Sequence, residues 1–130
     1  MSLVSNISAV ITQIGAKLKA LDRSPITALT NSSGTVNGDL SKGDYFTLTL
    51  AANVTSLTFS NLPPAGVART IDITITQDAT GGRTFALPSS FHAIGASDTA
   101  VQAAANAKTK IIATTLDAGT TWAYSMAKVN

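Results

Sequence analysis

The sequence predicts a mainly β protein: an antiparallel β-sandwich of jelly-roll type, preceded by one amphipathic α-helix and assembled as a trimer. Three observations predict it. Val4, Ile7, Ile11, Ile14, Leu18 and Leu21 recur at alternating three- and four-residue spacing, which places them at successive a and d positions of one helical stripe. Beyond Ser24-Pro25 that period gives way to a Thr-rich alternation of apolar and polar residues, the signature of half-buried strands. Charge is sparse as well: Asp, Lys and Arg make up 12% of the chain, about half of the ~25% usual in soluble domains. Mean hydropathy is +0.25. A surface so poor in charge is solvated by its hydroxyls or covered by sister subunits.

With 130 residues the chain has room for one core and an arm, not for two domains. The expected organisation is a helix over residues 1–24, a linker over 25–38 and the sandwich over 39–130. Ser2 or Ser5 is the natural helix cap, and Ser24-Pro25 ends the helix because the residue before proline is pushed out of the α region. Lys17, Lys19, Asp22 and Arg23 add charge at its end. β-Branched side chains at both a and d favour three-stranded over two-stranded packing. Gly15 costs roughly 1 kcal/mol of helix propensity, so the helix is expected to form when bundled or docked.

Residues 25–38, rich in Thr, Asn, Ser and Gly, read as a linker. From Asp44 to Leu50 the alternation puts Phe46, Leu48 and Leu50 on one face. Thr55 to Ser60 continues it with Leu57 and Phe59, and a Pro-Pro loop follows. Thr70 to Gln77 is the clearest strand, with Ile71, Ile73 and Ile75 inward and Asp72, Thr74 and Thr76 outward. Asp78 to Gly82 is turn chemistry, so Thr84 to Leu87 is expected to close a hairpin. Residues 97–107, rich in Ala, read equally as a short helix or a loop. Lys110 to Leu116 and Thr121 to Met126 form a second hairpin in which Trp122, Tyr124 and Met126 share a face.

Chemistry is thinly represented. All seven acidic residues are Asp, and most fall where Asp serves as a turn former. His92 is the single histidine, with no nucleophile-elbow signature around any serine. One His and no Cys leave a metal site short of ligands, so no catalytic, metal or cofactor site is expected and the protein is not read as an enzyme. Gly81-Gly82 before Arg83 suggests an anion nest less than a hairpin turn. The net charge of +2 is too dispersed to neutralise a run of phosphates, so no nucleic acid partner is expected. No membrane partner is expected either: no apolar run reaches the ~20 residues of a membrane span, and residues 1–14 lack the pattern of a signal peptide. Tyr45, Trp122 and Tyr124 are the aromatic candidates for a glycan-stacking face, although the alternation of the last strand also suits Trp122 to the core.

The run GDYFTLTLAANVTSLTFSNLPPAG from Gly43 to Gly66, TIDITITQDATGGRTFALP from Thr70 to Pro88, and DAGTTWAYSM from Asp117 to Met126, taken in that order, resembles a module of tailed-bacteriophage virion proteins. IGAKLKAL, Ile14 to Leu21, is similar to short amphipathic helices near the start of phage tail and capsid-surface proteins. The resemblance implies a virion component, trimeric in many relatives, serving as a capsid decoration (cement) protein, a head fibre or part of a tail fibre, and it carries over no catalytic residue. With no extended repeat region, the expectation is a compact trimeric decoration protein that binds the major capsid protein or other virion proteins and stabilises the shell from outside. The alternative is a tail-fibre or tail-associated adhesin that binds bacterial surface glycan.

Overall fold

The computed structural model describes residues 2–21 and 24–130. Helix α1 spans Leu3–Leu21. Ser2 caps it, its Oγ accepting the Ser5 backbone N–H at 3.2 Å, which satisfies one of the orphan donors of the first turn. Asp22 and Arg23, expected to close the helix with charge, lie outside the described residues.

The described residues form nine strands: β1 (Ile26–Ala28), β2 (Asn31–Ser32), β3 (Thr35–Asp39), β4 (Tyr45–Leu50), β5 (Ser56–Ser60), β6 (Arg69–Gln77), β7 (Phe91–Ala93), β8 (Lys108–Thr115) and β9 (Trp122–Val129). They make a six-stranded sheet ordered β1-β4-β6-β8-β9-β7 and a three-stranded sheet ordered β2-β3-β5. Both contribute to one core. Val36 and Leu57 of the smaller sheet join Phe46, Ile71, Ile73, Ile75, Ile111 and Trp122 of the larger in a single buried cluster.

The expectation of a purely antiparallel domain is corrected by the pairing, for both sheets are mixed. β1 runs parallel to β4, β4 to β6, β3 to β5 and β7 to β9. Only β2–β3, β6–β8 and β8–β9 are antiparallel. The cause is the path of the chain. From β1 it crosses to the small sheet for β2 and β3, returns for β4, crosses again for β5 and returns for β6. Each return adds a parallel neighbour, and the first part of the domain is wound in coils. A third crossing is marked by the parallel bridge between Val54 and Phe85. Alternation reports which face a residue occupies, not the direction of the strand beside it.

Residues 25–38, expected as a linker, instead supply β1, β2 and β3, with Leu29 and Val36 buried. Ser33 and Gly34 both take positive φ, 51° and 88°, the requirement of a tight two-residue hairpin turn. The Asn31 side-chain oxygen accepts the Gly34 N–H at 2.8 Å. The hairpin expected at 78–87 is also corrected. Thr84 to Leu87 does not return along β6; Phe85 pairs with Val54, and β8 occupies the place beside β6. Residues 97–107 form a loop without helix, and β7, which contains His92, is an edge strand that periodicity did not reveal.

Candidate interaction surfaces

The predicted oligomerisation stripe lies on one helix and is bare. Val4, Ile7, Ile11, Ile14 and Leu18 are 50–74% exposed, and the side chain of Leu21 lies outside the described residues. Leu3 and Val10, also exposed, occupy g positions of the same heptad and widen the stripe. That extension was legible from the same spacing.

The outward face of the six-stranded sheet is a second surface. Its rows follow from the register: Ile26, Tyr45, Asp72, Ile112 and Ser125 stand side by side across β1, β4, β6, β8 and β9, with Ala28, Thr47, Thr74, Lys110 and Ala127 in the next row. Ile26, Tyr45, Ile112 and Val129 are exposed apolar groups on it. Its central charges cancel, since Lys110 Nζ meets Asp72 Oδ2 at 2.9 Å. The hydrogen bond and the charge of Asp72 raise the Lys110 pKa. Thr70 and Thr114 are joined hydroxyl to hydroxyl at 2.7 Å.

The outward face of the three-stranded sheet differs in kind. Its cross-strand pairs are Thr35–Ser56, Asn37–Thr58 and Asp39–Ser60, and they are laced by side-chain bonds. Asn37 Nδ2 donates to Ser60 Oγ at 3.1 Å, Thr58 Oγ1 donates to Asn37 Oδ1 at 3.1 Å, and Asn61 Nδ2 donates to Asp39 Oδ1 at 2.7 Å. The amide of Asn61 and the hydroxyl and N–H of Ser41 lower the Asp39 pKa. One outer face is neutral and partly apolar; the other is a ladder of amides, hydroxyls and a carboxylate.

The three aromatic candidates do not share a surface. Tyr45 is exposed, but Trp122 and Tyr124 point into the core at 2% and 4% exposure, which overturns a stacking face built from all three. Trp122 packs on Phe59 with centroids 5.3 Å apart and on Phe91 at 5.7 Å. This cluster is where the two sheets meet, because Phe59 comes from β5 and Trp122 from β9. The parity of β9 puts Tyr124 on the same side.

Asp residues act as turn formers, as their positions suggested. Asp117 accepts the Thr121 hydroxyl at 2.7 Å and the Thr121 N–H at 2.9 Å, and both lower its pKa. Asp78 accepts the Gly81 N–H at 2.8 Å and pairs with Arg83 at 3.2 Å; the Gly81 N–H contributes most to its lowered pKa. The Gly81-Gly82 concavity is therefore filled from within. Gly81 has φ +73° and a Cβ there would lie 2.6 Å from the Ala103 carbonyl oxygen, so the close approach of loop 97–107 demands glycine. Arg69 pairs with Asp44 and also donates to the Leu40 and Gly43 carbonyls at 2.6 and 3.2 Å, tying the 3-10 turn Leu40–Lys42 to β6.

Gln77, which the sequence marked only as the end of a strand, is 2% exposed. Its Nε2 donates to the Arg83 and Gln102 carbonyls, both at 2.7 Å, and its Oε1 accepts the Arg83 N–H at 3.1 Å. One amide thus clasps the two loops at this end of the domain. Among the described residues no three His or Asp side chains gather into a metal-binding group, and no helix is long and apolar enough to cross a membrane.

The described residues thus present an exposed heptad stripe and a β domain with two differently patterned outer sheet faces. Over residues 29–122, more than two-thirds of its length, the chain matches the family described as "Putative phage tail fibre C-terminal domain" and belongs to that family. The match includes β2 to β8 and the first residue of β9, and leaves α1, β1 and the rest of β9 outside it. Searches of curated proteins and of solved structures return no match. The protein is accordingly a phage structural protein of tail-fibre type, a component of the virion.

Proposed function

We propose that the protein is a module of a phage tail fibre, held as a trimer by the α1 stripe, whose β domain contacts glycan on the bacterial surface. The observation that carries the fibre reading is the family match over residues 29–122, which favours it over the capsid decoration expected from the sequence. The bare a, d and g positions of α1 support self-association, because a stripe of this width in water is stabilised by burial against equivalent stripes. The exposed ladder of Asn37, Thr58 and Asn61 supports glycan contact: its amides and hydroxyls are held in register on a rigid sheet, with lone pairs and protons to spare for sugar hydroxyls. The role is one of assembly and recognition and involves no reaction.

The test is localisation. Antibody against the β domain is expected to decorate fibres in electron micrographs of the virus, and the purified trimer to compete with virus for adsorption to host cells. Label confined to the head, with re-attachment of the protein to stripped capsids and recovery of their heat resistance, would instead establish decoration.

A further inference from the structure

We infer that the outer face of the six-stranded sheet is a self-contact surface, packed around the trimer axis against the same face of two sister copies. This rests on the trimeric reading above and adds to it a second, sheet-based interface.

The first ground is the tether. α1 ends at Leu21 and β1 begins at Ile26, and five residue steps reach at most about 18 Å when fully extended. Bundled helices lie roughly 8–10 Å apart, so the three domains are held as close neighbours at an effective concentration on the order of millimolar. A weak face is enough to pair them under those conditions.

The second ground is chemistry. Ile26, Tyr45 and Ile112 lie in one row across this sheet and are exposed. Asp72 and Lys110 at the centre neutralise each other within one copy, so the face brings no net central charge to its partners. The three-stranded sheet presents instead the Asn, Ser and Asp ladder, whose burial against an equivalent face would cost desolvation at each polar group. Of the two outer faces, the larger is the one suited to a second copy.

The third ground is size. Six strands at about 4.8 Å spacing give a face about 24 Å wide, and three such faces set edge to edge as a triangular prism leave each sheet about 7 Å from the axis, about 2 Å more than half of the ~10 Å separation of packed sheets and so with room for large side chains such as Tyr45 and Ile112. At about 20 Å long, each face offers roughly 480 Å² in projection, less than the ~800 Å² per partner of a self-sufficient interface. The sheet contact therefore depends on the bundle. Tyr45 is covered in the assembly and is not a glycan contact.

The chain has no cysteine, so Ile112→Cys installs a single thiol near the centre of the face and Thr58→Cys a control on the opposite sheet. In the full chain, a short bis-maleimide is expected to convert Ile112→Cys to covalent dimers and to leave Thr58→Cys monomeric on a denaturing gel. Ile112→Glu should raise the concentration of half-dissociation at least about tenfold, since it sets like charges around the axis, while Thr58→Glu leaves it unchanged. A wild-type trimer in sedimentation, combined with no Ile112→Cys cross-link and an unaltered Ile112→Glu dissociation, would overturn the sheet interface and leave the helix trimer standing. A wild-type monomer at all concentrations would overturn both.

Discussion

Replacing Gln77 by Glu changes one atom of a buried clasp and has a calculable cost. Nε2 donates to two carbonyls at 2.7 Å; an ionised carboxylate there would face both oxygens with nothing to donate. The folded variant must take up a proton instead. Against an unfolded glutamate pKa of about 4.3, keeping the group protonated at pH 7 costs about 1.4 kcal/mol per unit over roughly 2.7 units, or ~3.7 kcal/mol. The carboxyl then restores one of two donors, and the other bond is lost at about 1 kcal/mol. The expected deficit at pH 7 is therefore ~4–5 kcal/mol, at the upper end for single substitutions. The folded pKa of the new carboxyl is raised, so the unfolded state releases its proton first as pH rises. The deficit relative to wild type is nearly absent of its ionisation part below about pH 4.3 and grows with pH above it. Urea denaturation of both proteins at pH 4 and pH 7 measures this directly. A deficit below about 1 kcal/mol at pH 7, or one equal at both pH values, would refute the hydrogen-bond argument for the clasp.

Trp122→Ala removes the ring packed on Phe59 and Phe91 and should cost ~3–5 kcal/mol as a core truncation, read as a lower urea midpoint at unchanged slope; retained stability would refute the placement of Trp122 in the core. Ile11→Asp with Ile14→Asp should dissociate the proposed trimer in sedimentation while leaving the melting temperature of the β domain at low concentration unchanged, because both side chains are exposed within the chain. A lower melting temperature at every concentration would show that the helix packs on its own domain. Asp39, Asp78 and Asp117 all have lowered pKa values, so as pH falls through the ordinary carboxylate value near 3.9 the unfolded state binds protons first and stability declines. Melting temperature should be level above about pH 5 and drop toward pH 3, with Asp117→Asn showing a flatter acid limb; a rise in stability on acidification would refute the assignment.

The helix, β4, β6 and the β8–β9 hairpin were legible because each carries its own period: 3.5 for the stripe, 2 for the strands. Direction was not legible. The short connections after Leu50 and Ser60 suggest hairpins, yet both take the chain to the other sheet, and nothing in Asn53 or Pro63-Pro64 states that the next strand will return parallel. β1 to β3 were hidden for a different reason. Each is two to five residues long, too short for a period to register against a Thr- and Asn-rich background, and only Leu29 and Val36 mark their inward side.

The surfaces follow the same division. Parity in β9 already puts Tyr124 with Trp122 on one side, and once Trp122 is in the core Tyr124 must be there too; a glycan face using both needed them to turn outward together. Gln77 carries a readable signal of its own. It continues the series Ile71, Ile73, Ile75 on the inward face, and an amide at an inward position beside a Gly-Gly turn can be accommodated only if nearby backbone supplies partners. The loops that supply them, around Arg83 and Gln102, are separated from it in sequence by 6 and 25 residues. What the period cannot give is which loop arrives, and that depends on the same crossing of the chain between sheets that made the strand directions unreadable.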